Sequence, residues 1–199
     1  MARKHPVFSS LYDLMTAPQE YLGLARTRAR IVSRLEGRVL EVGVGTGLNQ
    51  VHYGPLATVI GIEPDPYMLK RATKRCAAAY AHVSLVAADG EVLPFRTASF
   101  DAVVATLVFC TIVDPLAAAH EVRRVLKPGG TFYFVEHVRA QSRWLGWLQD
   151  AIDPMWSRLF AGCHLNRDTV DVFRRQGLRI EHLTASKRGL VIRGEAAAA

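Results

Sequence analysis

A chain of 199 residues, half of them apolar and 22% charged, has the composition of an ordinary globular protein and the length of one domain with a full core. No apolar run approaches the roughly 18 residues of a membrane span, and no apolar h-region follows the basic start at Arg3 and Lys4, so neither a transmembrane segment nor a secretory signal is expected. The net charge of +7 admits nucleic acid, an anionic membrane or an acidic ligand, but the Arg and Lys residues are scattered without interleaved aromatics, the pattern of a solvated basic surface.

In chain order, Phe8, Leu11, Tyr12, Leu14 and Met15 suggest a turn or two of amphipathic helix ended near Pro18, either a flap over a site or a packed arm. Residues 19–35 have helical spacing with arginines largely on one face, stopped by Gly37. Residues 38–43 form a first strand, followed by a glycine turn and a short helix to about Tyr53. Residues 57–62 are a second buried strand, after which Pro64 opens a helix with Met68, Leu69, Ala72 and Cys76 inward. Strands follow at 82–87 and 100–106. Asp114 caps a helix running to Leu126, and a turn at 127–130 leads to a strand at 131–136. Strand–helix alternation predicts an α/β fold, a mostly parallel sheet with helices on both faces. Residues 141–160 carry a helical stripe of Trp144, Leu148, Ala151, Ile152, Met155 and Leu159, interrupted by Pro154. A helix at 167–176, two closing strands (178–184 and 188–193) in a hairpin around Ala185–Arg188 and a frayed tail from Glu195 complete the chain. The expected layout is one domain: a helical arm (1–36), a binding core (37–138), then a lid and hairpin (139–199).

The sequence Glu41-Val42-Gly43-Val44-Gly45-Thr46-Gly47 is the sharpest signal. A buried strand stops and bare backbone follows, where an open α/β sheet binds nucleotide-like ligands. A dinucleotide fingerprint would need glycine at position 48, which is Leu48, and no P-loop lysine follows. Glu41 disfavours a pyrophosphate and suits a nucleoside with a cationic arm. Glu63 ends the second strand, where a carboxylate can accept both hydroxyls of a ribose. Asp89 ends the third, where one can accept from an adenine amine.

These motifs, with Asp89-Gly90-Glu91-Val92-Leu93-Pro94-Phe95, Ser99-Phe100-Asp101 and Leu126-Lys127-Pro128-Gly129-Gly130, resemble the class I S-adenosylmethionine-dependent methyltransferases over about residues 35–137. The resemblance implies a Rossmann-like seven-stranded sheet of order 3-2-1-4-5-7-6 with strand 7 antiparallel. It implies S-adenosyl-L-methionine as cofactor, leaving as S-adenosyl-L-homocysteine. Glu41, Gly43, Gly45, Thr46 and Gly47 would face the methionine part, with Tyr12 and Asn49 nearby. Glu63 and Pro64 fall at the ribose, Asp89, Gly90, Glu91 and Met68 at the adenine, and Thr106 and Leu107 at the methionine end.

The residues 106–110, 132–138, 153–156 and 162–167 resemble the animal thiol S-methyltransferases and their bacterial relatives, without the animal enzymes' N-terminal membrane segment. That resemblance implies S-methylation of a small thiol or sulfide. The wider group leaves C- or O-methylation of a quinone or phenol open, as it leaves a non-catalytic S-adenosylmethionine-binding protein. Thr106-Leu107-Val108-Phe109 lacks the Pro-Pro-aromatic motif of DNA amino-methyltransferases, so the expected partner is a small-molecule methyl acceptor, not nucleic acid.

Methyl transfer needs positioning and exclusion of water more than a strong base. His137 and Glu136 are the candidates for proton handling at the sheet's carboxyl edge. Asp153 either orients a lid or caps a helix before Pro154. The Trp144–Phe160 stretch reads as a substrate lid, a packed helix or, given Arg143 and Arg158, a peripheral membrane contact. Cys76, Cys110 and Cys163 are far apart and form no C-x-x-C, so neither a disulfide framework nor a metal site is expected, and a reducing cytoplasm fits. Cys163 and His164 adjoin but lack an identifiable third partner.

Overall fold

The computed structural model describes residues 5–186 and 188–198. The chain forms two compact units, Met1–Gly90 with Phe100–Val104, and Glu91–Ser99 with Ala105–Ala199.

In the first unit, helix α1 (Pro6–Gln19) runs through a π-helical turn (Glu20–Leu24) into α2 (Ala25–Val32). Strand β1 (Gly37–Val42) pairs in parallel with β2 (Ala57–Ile62), Leu40 opposite Ile60 and Glu41 opposite Gly61. Helix α3 (Pro66–Cys76) follows, and β3 (His82–Val86) pairs in parallel on the far side of β2. Val39, Leu40, Val59, Ile62 and Ala72 are almost fully buried. The buried positions of β1 and β2 are mostly β-branched or apolar because a parallel strand is covered on both faces. Strand β4 (Phe100–Thr106) has the same character.

The second unit holds α4 (Pro115–Val125), β5 (Leu126–His137), α5 (Arg143–Leu159), α6 (Thr169–Arg175), β6 (Leu178–Ala185) and β7 (Val191–Ala198). Asp114 caps α4 as the sequence predicts, its Oδ1 accepting from the N–H groups of Leu116 and Ala117. Strand β7 is antiparallel to both β5 and β6. Phe173 of α6 packs edge-on to Phe109, Phe132 and Phe134, with centroids 4.8–5.1 Å away. The seven strands are ordered β3-β2-β1-β4-β5-β7-β6, as the resemblance implies.

Several local readings are corrected. Helix α1 is longer than the expected turn or two but ends at Gln19, beside Pro18 as expected, and a π turn kinked at Gly23 (φ of +125°) follows. Helix α2 ends at Val32, and Gly37 opens β1. Pro64 lies before α3; Asp65 caps that helix and Pro66 opens it. The segment after the glycines contains turns and a single 3-10 turn (Gln50–His52) in place of an α-helix. Residues 127–130 belong to β5, and Glu195–Ala198 belong to β7 instead of a frayed tail. Lys187 of the expected hairpin turn and Ala199 of the expected tail lie outside the described residues.

Helix α5 leaves much of its apolar stripe exposed. It continues through Pro154, buries Gly146, Gln149 and Asp153, and leaves Trp144, Trp147, Met155 and Leu159 each more than 60% exposed. Hydrogen bonding accounts for this choice. Gln149 accepts from the N–H of Ala140 and donates to the carbonyls of Val138 and Leu165, so the helix's polar side satisfies backbone that would otherwise be buried unpaired.

Candidate active site

In the first unit, β1 and β2 end side by side, so the glycine turn stands beside Glu63. Gly45 has φ of +59° and Gly47 φ of +86°, a region that L side chains rarely adopt. A Cβ on Gly47 would meet the α3 backbone at Ala72, whereas a Cβ on Gly45 would meet no described atom within 4 Å. Gly45 is therefore a bare, open stretch of backbone. Its N–H donates to Glu63 Oε2 (2.9 Å), and Glu63 Oε1 accepts from the Asp65 N–H (2.9 Å). Burial pushes the Glu63 carboxyl up, helped by the negative charges of Asp65 and Asp89 and opposed by the two N–H donors. Asp65 takes the N–H groups of Tyr67 and of His5, which ties the start of α1 to this corner. Asp89 is exposed beyond β3, Gly90 and Met68 are buried, and Pro64 is half-buried.

Glu41 is buried beneath the turn. Its oxygens accept from Asn49 Nδ2 (3.1 Å), Gln50 Nε2 (2.7 Å) and the Tyr53 hydroxyl (2.9 Å). Arg28 Nη1 donates to Asn49 Oδ1, and its Nε pairs with Glu20. Burial pushes Glu41 up to about 7 despite these donors and the nearby Arg28 charge. Glu41 and Asn49 thus anchor the segment after the glycines through their own side chains.

The turn is also tied to α1. Thr46 Oγ1 donates to Asp13 Oδ1 (2.6 Å), while Arg75 donates to Thr46 O and Oγ1 and to Asp13 Oδ2. Burial works against the Asp13 charge, but the bonds from Arg75 and Thr46 hold its pKa below the usual carboxylate range. Tyr12 is half-buried next to Asp13 and packs edge-on to Phe8. Sequence reasoning missed Asp13 and Arg75. The available signal was that Asp13 is the one acidic residue among the first 19.

In the second unit, Glu136 is fully buried and accepts from the N–H groups of Val108, Phe109 and Cys110. Burial raises it to about 7 against those three donors and the neighbouring His137. These three bonds tie Glu136 to the loop after β4. Leu107, at φ of +59°, donates its N–H to Val135 O, and Thr106 is largely buried. Glu91 Oε1 accepts from Val113 and Asp114 N–H, which binds it to the start of α4.

Asp153 does not cap a helix: α5 starts after Ser142 and continues through Pro154. From inside α5 it accepts from His164 Nδ1 (2.7 Å) and the Leu165 N–H (2.8 Å). The His164 ring thereby pairs with Asp153. Cys163 Sγ lies 3.5 Å from Cys110 Sγ and 4.0 Å from His137 Nδ1. Within the thiol pair, the hydrogen bond between Cys163 and Cys110 draws Cys163 down against the effect of burial, and Cys110 is pushed up. Trp156 stacks on Phe160 at 3.8 Å. Its buried Nε1 has no hydrogen-bond partner among the described residues.

The two buried carboxyls near pH 7 predict a pH dependence of stability. Their folded pKa values lie above the ordinary 4.5, so between 4.5 and about 7 the folded state holds more protons than the unfolded one. Stability therefore falls as pH rises through that window, by about 1.4 kcal/mol per unit for each carboxyl, and levels above it. Urea midpoints measured from pH 5 to 8 are expected to show this fall, shallower in Glu41→Gln. A midpoint that rises from pH 5 to 7 contradicts it.

Comparison with known proteins agrees with this architecture. Residues 40–134 match the methyltransferase domain family. The chain is 39% identical over 155 residues to the thiol S-methyltransferase TMT1A of Homo sapiens, covering 74% of this chain and 63% of the relative. It is 39% identical over 173 residues to the thiol S-methyltransferase TMT1B of Rattus norvegicus, covering 84% and 64%. It thus spans just under two thirds of either relative's length. Among solved structures, an SAM-dependent methyltransferase from Thermotoga maritima superposes with a TM-score of 0.64 at 23% identity, over 96% of this chain and 98% of that one.

Proposed function

We propose that this chain, which belongs over residues 40–134 to the methyltransferase domain family, methylates the sulfur of a small thiol or sulfide with S-adenosyl-L-methionine. When bound, the cofactor supplies a sulfonium methyl group: the acceptor sulfur forms the new S–C bond as the old C–S bond breaks and its electrons return to the departing sulfur.

The fit of the cofactor is supported by the Glu63–Gly45 corner. Each Glu63 oxygen accepts one backbone N–H and retains acceptor capacity, which suits the two hydroxyls of a ribose. The open backbone at Gly45 lets a ligand approach where a side chain would block it. Asp89, exposed and acidic at the end of the third strand, is the acceptor assigned to the adenine amine. Thr106 and Leu107 are assigned to the methionine end by the resemblance. Glu41 and Asn49 act as positioning residues for the turn.

The observation that carries the choice of sulfur is the 39% identity to proteins named as thiol S-methyltransferases. A thiol is a few per cent thiolate at neutral pH, which reduces the demand for a base. His137 is the proton-handling residue of this reading; Glu136 and Asp153 act through the loops that they hold. No described helix is long and apolar enough to cross a membrane, and a cytoplasmic location is proposed.

The test offers hydrogen sulfide, a short alkyl thiol and a quinol side by side, following S-adenosyl-L-homocysteine production. Turnover with the sulfur acceptors and none with the quinol is expected. Turnover of the quinol alone would replace this reading with C- or O-methylation. Cofactor binding with no turnover on any acceptor would make the chain a binding protein.

A further inference from the structure

The second unit contains a cluster of which the proposed reaction as stated uses only His137. Cys110, His137 and Cys163, 27 and then 26 positions apart in sequence, bring two sulfurs and a ring nitrogen within 4.8 Å of one another. The Sγ–Sγ distance is 3.5 Å and the Cys163 Sγ to His137 Nδ1 distance is 4.0 Å. In a tetrahedral zinc site, bonds of about 2.3 Å to sulfur and 2.0–2.1 Å to nitrogen place the ligand atoms about 3.5–3.8 Å apart. The three side chains already stand near that spacing.

Each donor is held by its own support. His137 is the last residue of β5. Cys110 is pinned through its backbone at both ends, its N–H to Glu136 and its carbonyl by the His164 N–H (2.7 Å). Arg167 holds the same loop through the carbonyls of Phe109 and Ile112. Asp153 holds the 164–165 backbone next to Cys163. Two side-chain polar groups stand beside the sulfurs: the Thr111 hydroxyl is 3.7 Å from Cys110 Sγ, and the buried Trp156 N–H lies beside Cys163. Cys110 is buried, whereas His137 and Cys163 are half-buried and leave an approach from solvent. Three protein ligands with one open position are the arrangement of a catalytic rather than a structural zinc site.

We propose that Cys110, His137 and Cys163 bind one Zn²⁺ ion, whose fourth position takes the acceptor thiol. Two thiolates and one neutral imidazole make the occupied site electrically neutral. A thiol entering the fourth position exchanges its S–H bond for an S–Zn bond, the proton leaves to solvent, and the sulfur is delivered as thiolate. This second half rests on the thiol reading above; the metal site does not.

The test uses the full chain, kept reduced with a phosphine and loaded with S-adenosyl-L-homocysteine, titrated with Zn²⁺ against a chromophoric chelator. One Zn²⁺ per chain is expected, with affinity at least about 100-fold weaker in Cys163→Ser and Cys110→Ser and unchanged in Cys76→Ser. Binding of S-adenosyl-L-homocysteine by each variant, followed by calorimetry, reports that it is folded. With Co²⁺ in place of Zn²⁺, a thiolate-to-metal charge-transfer band is expected, together with visible bands that shift when propanethiol is added. Equal Zn²⁺ affinity in the wild type and in a folded Cys163→Ser overturns the site. Visible bands indifferent to propanethiol overturn the fourth-ligand role. Zn²⁺ bound through these residues with no thiol methylated upholds the site and refutes the thiol reading.

Discussion

Gly45→Ala is expected to weaken S-adenosyl-L-methionine binding by about 100-fold or more, equivalent to about 2.7 kcal/mol, while leaving the protein folded. The two effects separate because of what surrounds this residue. A methyl group here meets nothing among the described atoms, so the folded chain gains no clash. Its cost in stability is the left-handed backbone, about 1–2 kcal/mol for a residue with a Cβ. The same methyl group stands in the space through which a ligand would reach the N–H that Glu63 accepts. Calorimetric titration with a parallel urea curve checks both halves. Affinity within threefold of the wild type would mean that the ligand does not approach the turn, and the cofactor assignment would fall with it. A protein that fails to fold would instead mean that the space at Gly45 is needed for packing.

The regions legible in the sequence were those where one local property decides the outcome. Residues 57–62 and 100–106 have the predicted strand boundaries because a short run dominated by β-branched and apolar residues has few alternatives to a buried strand. Asp114 is the cap predicted from its place before Pro115. The misreadings have a common cause: a polar group buried by a partner distant in sequence. Residues 49–53 have helical potential on their own, but Asn49, Gln50 and Tyr53 all turn toward Glu41. Helix α5 has an apolar stripe that simple amphipathicity sends inward, yet Gln149 and Asp153 go in because the backbone at 138–140 and 164–165 requires partners. Cys110 and Cys163 are 53 residues apart, and no local pattern announces their meeting. Adjacency in sequence does not pair Cys163 with His164, whose ring bonds Asp153.

Glu136→Ala is expected to destabilise the protein by about 3–6 kcal/mol, a large share of the roughly 5–15 kcal/mol that holds a domain folded. Glu136 accepts three backbone N–H groups, those of Phe109 and Cys110 fully buried. Removing the carboxylate orphans all three, at about 1–3 kcal/mol each before the loop relaxes or water enters. Glu136→Gln should cost less. Its amide oxygen can keep the bonds from Val108 and Phe109, but its NH₂ then faces the Cys110 N–H, donor against donor. A group that only moved protons would behave in the opposite way, losing turnover in both variants at unchanged stability. Urea unfolding of the two variants beside His137→Ala decides between these roles. The expected order of stability loss is Glu136→Ala, then Glu136→Gln, then His137→Ala, because His137 is half-buried at a strand end and supports no comparable set of backbone donors. If Glu136→Ala instead unfolds at the wild-type midpoint, the loop after β4 is held by other means and the carboxylate returns as a candidate for proton transfer.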